Sequence, residues 1–193
     1  MYSNIDRILM FRQPIRALSP HPHKWTLDAV LDPEVPTVLS MMNTGMWAPW
    51  VFPTSYACRH NPLAPVLTEN ELKSLGGTPT FAATRQAAIV AFMKFLIDTD
   101  LWVMSPDGLK TRRHVTRMLD HVRETRDLTY TKIVFDTLLQ ILAQKATSQH
   151  LEAPDMSYAH WFAAAEGVEL TKVMVRAHKR AARTGIRLDW SRK

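Results

Sequence analysis

The sequence predicts an all-α protein: an irregular bundle of four to five helices around a central apolar helix at about residues 80–104. Three observations lead to this fold class. From Phe81 to Met104, 17 of 24 residues are apolar or Ala. Apolar residues also recur at helical spacing through the C-terminal half, with short connections between the periodic segments. Finally, nine of the twelve prolines fall in residues 1–66. We therefore expect two regions, a Pro- and aromatic-rich arm at 1–66 and a helical domain at 67–193.

The N-terminal arm should be largely extended, because proline removes a backbone donor and disfavours helix in the residue before it. The pattern leaves room for two short helices, Ser3–Phe11, with Ser3 as its N-cap, and Pro36–Met42. Disordered segments are poor in aromatic residues, so we expect the arm to lie on a surface, either its own helical core or another subunit. The residues predicted to bind a protein partner are Trp25, Trp47, Trp50, Phe52 and Tyr56.

Two helices follow the arm. Leu67–Leu75 has Thr68 as its predicted N-cap, and we expect Gly76 to end it in the left-handed conformation. The central helix starts after a turn, with Thr78 or Thr80 as its cap, and breaks near Asp98. Because it is apolar on nearly all sides, it should be buried on nearly all sides.

A membrane span is the alternative for the central segment, since about 20 apolar residues cross a bilayer. Lys94, Asp98 and Asp100 count against it, because charges in hydrocarbon are costly. We therefore expect no membrane span.

The C-terminal half reads as a turn and three helices. Ser105–Gly108 predicts a type I turn, with Pro106 at its second position. Leu109–Glu124 is amphipathic, with a solvated basic face that includes Arg112, Arg113 and Arg117. Leu128–Lys145, or slightly beyond, forms the next helix, and a last helix runs from Ser157 to near Gly185.

A winged helix is a local alternative to the bundle. Leu101–Met104, the turn and Leu109 onward would form a β-hairpin resembling a wing. The recognition helix would then be Thr84–Ile97, where only Arg85 and Gln86 near its start are polar candidates for groove reading. That helix is apolar where a groove reader carries Arg, Asn or Gln, which argues against this alternative.

The net charge of +6 is concentrated in two segments. Leu109–Arg126 carries six basic and two acidic residues, and Thr171–Lys193 carries eight basic and one acidic, whereas the remainder is acidic. In the second segment the cations follow three-and-four spacing, so a helix would align them in a stripe suited to phosphate contacts or to an acidic protein surface. The residues predicted to bind an anionic partner or nucleic acid are Lys172, Arg176, Lys179, Arg180, Arg183, Arg187, Arg112, Arg113 and Arg117.

Catalytic signatures such as a P-loop, HExxH or a CxxC pair do not occur in the sequence. His21, His23, Cys58 and His60 are all good zinc ligands, but their spacing matches no standard zinc module, so the sequence leaves open whether they bind a metal. Cys58 could act as a nucleophile with His60 as its base, but the sequence offers no acid that would orient the histidine. Glu166 and Glu169 share a helix face, but a carboxylate metal site in a helical bundle also needs matching ligands from other helices, and the sequence lacks them. We expect no cofactor, no metal and no enzymatic activity.

These patterns lead to one functional hypothesis and one alternative. The first is a non-enzymatic structural or adaptor subunit of a larger protein or ribonucleoprotein assembly, which binds neighbours through the arm and an anionic partner through the basic C-terminal helix. The alternative is a stand-alone nucleic-acid-binding helical protein, with RNA or DNA as its partner. A single cysteine fits an intracellular location. The Arg-containing segment Arg7–Leu18 weakly resembles a mitochondrial import segment, so we expect the cytoplasm or the mitochondria.

Overall fold

The computed structural model describes residues 2–31, 46–98, 106–125, 128–149, 160–161 and 163–165. All regular secondary structure within these ranges is helical, which confirms the predicted all-α character for the described part of the chain. Residues 160–161 and 163–165 are helical as well. The helices are α1 (Asn4–Phe11), a 3₁₀ helix (Arg16–Leu18), α2 (Leu27–Leu31), α3 (Ala48–Val51), α4 (Glu69–Gly76), α5 (Pro79–Asp98), α6 (Pro106–Glu124) and α7 (Leu128–Gln149).

Two helices begin with a capping box, as their sequences indicate. In α1 the Ser3 hydroxyl accepts a hydrogen bond from the Asp6 N–H, and the Asp6 carboxylate accepts one from the Ser3 N–H. Thr68 and Glu71 make the same reciprocal pair at the start of α4. Each pair satisfies backbone donors that the first helical turn leaves without a partner. The predicted caps Ser3 and Thr68 are therefore confirmed.

Gly76 does not end α4 in the left-handed conformation, so that prediction is wrong. It is the last residue of the helix, and the capping residue Gly77 has a right-handed φ of −79°. The reason for glycine at 76 is space: a Cβ there would lie 2.6 Å from the backbone oxygen of Thr125. Besides a left-handed conformation, the close approach of another backbone segment is a common reason for a glycine at a given position.

Helix α6 begins three residues before its predicted start. Pro106 and Gly108 belong to the helix and not to a type I turn, so the turn prediction is wrong. The first turn of a helix and a type I turn share nearly the same dihedral angles at the proline, and proline suits the first helical position, where no N–H is needed. Because Leu109 lies inside α6, the second strand of the proposed wing does not form.

The contacts divide the described residues into two compact units. The first contains residues up to Phe92 together with Glu124 and Thr125. Its core includes three mutually contacting rings. The centres of the Trp47 and Phe92 rings are 5.4 Å apart, and the centre of the Phe52 ring is somewhat farther away, at nearly the same distance from each of them. The predicted boundary after Val66 therefore lies within this unit.

The second unit contains residues from Met93 to Arg123 and from Leu128 onward among those described. Its core includes one side of α6 and one side of α7. Arg123 ties the segment at 160–165 to α6, because its Nε donates to the Ala164 carbonyl at 2.9 Å. The buried apolar residues of α6 and α7 are Val115, Met118, Leu119, Val122, Val134, Phe135, Leu138, Leu139 and Ile141.

Some predicted elements lie outside the described residues. These are the helix at Pro36–Met42, the residues that follow Asp98 up to Ser105, and most of the last helix.

Candidate functional site

One side of helix α5 is open to solvent. Val90 is 59% exposed and Ile97 is 49% exposed, although both are large and apolar. The exposed positions recur every three or four residues, so they lie on one face of the helix. We call this face the α5 seam; its members are Ala83, Gln86, Ala87, Val90, Lys94 and Ile97.

The opposite side of α5 is buried, with Phe81, Ile89 and Leu96 almost completely covered. The prediction that this helix is buried on nearly all sides is therefore wrong. Its segment Pro79–Ile97 is long and apolar enough to cross a membrane by length and composition, and 39% of it is buried. Core helices of soluble proteins meet the same criterion, so length and composition do not decide between the two.

Two arginines are buried in the first unit. Arg12 reaches from the end of α1 into the core, where its Nη1 donates to Thr84 Oγ1 and its Nη2 to the Val51 carbonyl, both at 2.9 Å. The guanidinium carbon lies 4.2 Å from the centre of the Phe81 ring, a cation–π arrangement. Both hydrogen-bond partners of Arg12 are neutral, so within the described part of the chain this cation joins three segments without an ion pair.

Burial is the larger cause, and the nearby charge of Arg85 the smaller, of a shift that lowers the pKa of Arg12 to about 9. Arg85 is itself buried and donates from Nη1 to Thr125 Oγ1 at 2.8 Å. As a residue of the predicted recognition helix, Arg85 would have to face a groove. Its burial is a second reason against the winged-helix alternative.

A buried histidine lies among aromatic rings in the same unit. The His21 ring stacks on Trp25 with centroids 4.6 Å apart and meets the edge of Trp50 at 5.2 Å. Its Nδ1 accepts a hydrogen bond from the His23 N–H, so the proton of the neutral ring is on Nε2, which points to the Met46 carbonyl at 3.4 Å. Burial is the main cause that lowers the pKa of His21 to about 4.

The aromatic residues predicted to bind a protein partner mostly fill the chain's own core. Trp47, Trp50 and Phe52 are buried in the first unit, so for these three the arm packs on the chain's own core, the first of the two alternatives, and the assignment to a protein partner is corrected. Trp25 is half-buried against His21, and Tyr56 is 43% exposed. The physical reason is that a short helix, Ala48–Val51, forms here with Trp47 and Phe52 as its caps, and all three side chains are in the core.

The predicted basic surface is described only in part. Arg113 is exposed, whereas Arg117 is 7% exposed and does not belong to a solvated face, which corrects that prediction. The side chain of Arg112 lies outside the described part. The six basic residues predicted to bind an anionic partner in the C-terminal segment also lie outside it: Lys172, Arg176, Lys179, Arg180, Arg183 and Arg187.

No group of three His, Cys, Asp or Glu side chains in the described part of the chain is close enough together to hold a metal ion. His21, the first of the four predicted zinc ligands, is buried among rings. Cys58 is a half-buried free thiol and His60 is exposed.

Sequence reasoning missed the α5 seam, although a signal for it exists. Gln86 and Lys94 are two of the polar residues within the apolar stretch, and they lie on the same side of the helix as Val90, whereas Arg85 is buried. The Ala residues between them are small and only weakly apolar, so they do not mark either side of the helix as buried or exposed. Comparison with known protein families, curated proteins and solved structures finds no match to this chain.

Proposed function

We propose that this chain is a non-enzymatic structural or adaptor subunit of a larger protein or ribonucleoprotein assembly. The observation that carries the proposal is the exposed side of α5, on which the large apolar residues Val90 and Ile97 are open to solvent. Isolated exposed apolar residues are ordinary, but Val90 and Ile97 share one face of a helix whose other side is in a core, which favours an interaction surface.

The sequence supports an anionic partner at a second place. Thr171–Lys193 carries eight basic residues against one acidic, which favours contacts to phosphates or to an acidic protein. In this proposal the α5 seam binds protein and the C-terminal segment binds RNA, DNA or an acidic surface. The arm contributes mainly to the fold, since its tryptophans at 47 and 50 are in the core.

The test is the size of the native particle. Gel filtration of a gently prepared native extract should show the chain in a particle well above twice its own mass of 22.1 kDa. Nuclease treatment before the column separates the two kinds of assembly, because a ribonucleoprotein shrinks and a protein assembly does not. Elution of all of the chain at the size of a monomer or dimer would reject the proposal.

A stand-alone nucleic-acid-binding protein is the second candidate, favoured by the same C-terminal charge. It predicts binding by the purified chain that weakens steeply with salt. The charge reversals R176E, R180E and R183E together should remove this binding. The matched control is R16E, R59E and K132E, three exposed cations elsewhere with the same change in charge. Equal binding by both triple variants, or none by the wild type at low salt, would reject this candidate.

A further inference from the structure

A short turn at residues 13–18 stands out from the surface of the first unit. All six of its residues are exposed, and two of them are large and apolar: Ile15 is 51% exposed and Leu18 is 48% exposed. The Leu18 N–H donates to the Ile15 carbonyl at 3.0 Å, which closes a 3₁₀ turn. Side chains three residues apart in such a turn lie on the same side, so Ile15 and Leu18 form one apolar edge.

Two cations lie beside this apolar edge. Arg16 is exposed, and within the described part of the chain its guanidinium makes no hydrogen bond or ion pair. Lys24 comes from farther along the chain: its Nζ donates at 3.1 Å to the carbonyl of Ser19, the residue that follows Leu18. The fold therefore adds a second positive charge to the one that the turn itself carries.

The position of Lys24 depends on an unusual backbone conformation. Its φ is 54°, in the left-handed region that residues other than glycine, asparagine and aspartate rarely adopt. The Lys24 N–H donates to the His21 carbonyl at 2.8 Å, so the chain reverses tightly here and the ammonium group returns to Ser19. Such conformations persist where the surrounding structure requires them. In this chain the result is a cation next to the exposed turn.

The sequence around the turn has no acidic residue. Between Asp6 and Asp28 the chain has four basic residues and neither Asp nor Glu. Of the four, only Arg12 is buried, so the other three contribute charge to the surface. A partner of negative charge therefore meets attraction, and no repulsion, along this segment.

We propose that the turn at 13–18 docks on a membrane surface rich in anionic phospholipid. Ile15 and Leu18 enter the boundary between headgroups and acyl chains, and Arg16 and Lys24 lie against the lipid phosphates. Apolar side chains combined with Arg or Lys attach proteins to such a surface without spanning it. The proposal adds a membrane surface to the proposed function and does not rest on it.

The shape of the turn favours a membrane over an acidic protein. The apolar anchors of a protein interface fill well-packed pockets in the partner, so a protein would need a cavity that matches this projecting edge. A fluid bilayer needs no matching cavity, because binding strength there follows the apolar area that enters and the attraction to anionic lipid. Six exposed residues in a row, with their two large apolar side chains on one edge, suit the bilayer.

The attachment should be weak and reversible. Two side chains bury less apolar surface than one myristoyl chain, which by itself gives only marginal binding. The contribution of the cations is modest and is reduced by salt. We therefore expect an apparent dissociation constant on the order of 0.1–1 mM lipid, and no binding to vesicles without anionic lipid.

Co-sedimentation of the purified full-length chain with vesicles tests the apolar edge. The vesicles are phosphatidylcholine with about 30% phosphatidylserine, and pure phosphatidylcholine is the comparison. The double variant I15S/L18S should bind at least about tenfold more weakly than the wild type, because two large apolar side chains no longer enter the bilayer.

The matched control is I97S/I133S, since Ile97 on α5 and Ile133 on α7 are 49% and 54% exposed. It should bind like the wild type, and both double variants should keep the wild-type melting temperature because the four side chains are exposed. Equal binding of the two double variants, or no binding of the wild type to phosphatidylserine vesicles at low salt, would overturn the proposal. A loss in the control alone would assign the membrane contact to the long helices and would also overturn it.

Charge has to be tested at the turn itself, because the basic segment at 171–193 attracts anionic vesicles as well. R16E and K132E each change the net charge by the same amount, and Lys132 is exposed on α7. R16E should weaken binding about tenfold relative to K132E, since only the charge at position 16 lies next to the lipid. An equal loss for the two variants would contradict docking through the turn.

A fluorescent label reports which part of the chain meets the lipid. A17C and A87C replace exposed alanines in the turn and on α5, and both are made in a C58S background and carry the same environment-sensitive fluorophore. On phosphatidylserine vesicles the emission of the label at position 17 should shift to the blue, and that of the label at position 87 should not. The same shift at both positions, or a shift at position 87 alone, would overturn the proposal.

An acidic protein is the other partner that the charge would suit. No vesicle binding, together with a smaller native particle for I15S/L18S than for the wild type, would assign the turn to a protein and overturn the proposal. Vesicle binding that depends on Ile15, Leu18 and Arg16, in a chain that elutes from native extract as a monomer or dimer, would reject only the proposed function.

Discussion

The backbone oxygen of Thr125 lies against Gly76, so close that a Cβ at position 76 would be only 2.6 Å from it. The Thr125 hydroxyl accepts a hydrogen bond from the buried Arg85 at 2.8 Å. The end of α4, the residue after α6 and the buried side of α5 thus meet at one place in the first unit. Glycine at 76 is what lets Thr125 take the position in which it binds Arg85.

We expect G76A to lower the free energy of unfolding by about 1–3 kcal/mol, the usual cost of forcing an extra group into a packed site. G77A is the control, because a Cβ there would be 3.6 Å from its nearest neighbour, an ordinary contact distance. G77A should be neutral or slightly stabilising, since alanine restricts the unfolded chain. Urea unfolding of the two variants measures the difference, and equal midpoints would contradict the packing role of Gly76.

Arg12 should be sensitive even to a conservative change. R12K keeps the charge but cannot reach both Thr84 and the Val51 carbonyl with one ammonium group, nor stack as a planar group on Phe81. We expect a loss of about 2–3 kcal/mol in the free energy of unfolding, typical of a hydrogen bond from a charged group and a buried acceptor left unsatisfied.

The control for Arg12 is R16K, at an exposed arginine four residues further along the chain. Thermal melts of both variants followed by circular dichroism provide the measurement. A melting temperature for R12K as high as that of R16K would show that the contacts of Arg12 contribute little.

His21 should make the first unit sensitive to mild acid. The folded state holds the pKa of His21 at about 4, below the ordinary value of 6.5, so between these values the unfolded chain binds a proton that the folded chain does not. The stabilising contribution is present above pH 6.5 and is lost as the pH falls through about 4.

The measurement is the urea midpoint at pH 7 and at pH 5 for wild type and for H21F, which keeps an aromatic ring between Trp25 and Trp50. The midpoint of H21F should fall less on acidification than that of the wild type. H60Q, a change at an exposed histidine, is the control and should follow the wild type. An identical acid response of H21F and wild type would contradict the assignment to His21.

Removal of residues 1–66 should unfold the first unit. This segment supplies six of the largest buried apolar side chains to the core, and losing even one Phe or Trp from a core costs about 3–5 kcal/mol, against a typical domain stability of about 5–15 kcal/mol. The six are Ile8, Phe11, Leu27, Trp47, Trp50 and Phe52. Helicity per residue, measured by far-ultraviolet circular dichroism, should drop in the truncated chain; unchanged helicity would show that the remainder folds without the arm.

The sequence predicted most of the helices but little of their environment. The helices at Ser3–Phe11, Leu67–Leu75 and Leu128–Lys145 are confirmed, each within a few residues. Arg117 and Trp50 show why the sites could not be predicted as well. Both carry a polar group that suits a surface, yet both are buried. Trp50 contacts Phe11 and His21, which are distant in the chain and leave no local pattern around it.

By itself the sequence determined the local features of this protein. Caps such as Ser3 with Asp6 and Thr68 with Glu71 require only residues three apart, so their patterns can be read directly. Only the tertiary structure decided that Gly76 clears space for Thr125, that Arg12 joins three segments of one core, and that one side of α5 stays open. Burial depends on which distant elements meet, and in a helix such as α5, with apolar residues on every side, Gln86 and Lys94 give only a weak signal of which side stays open.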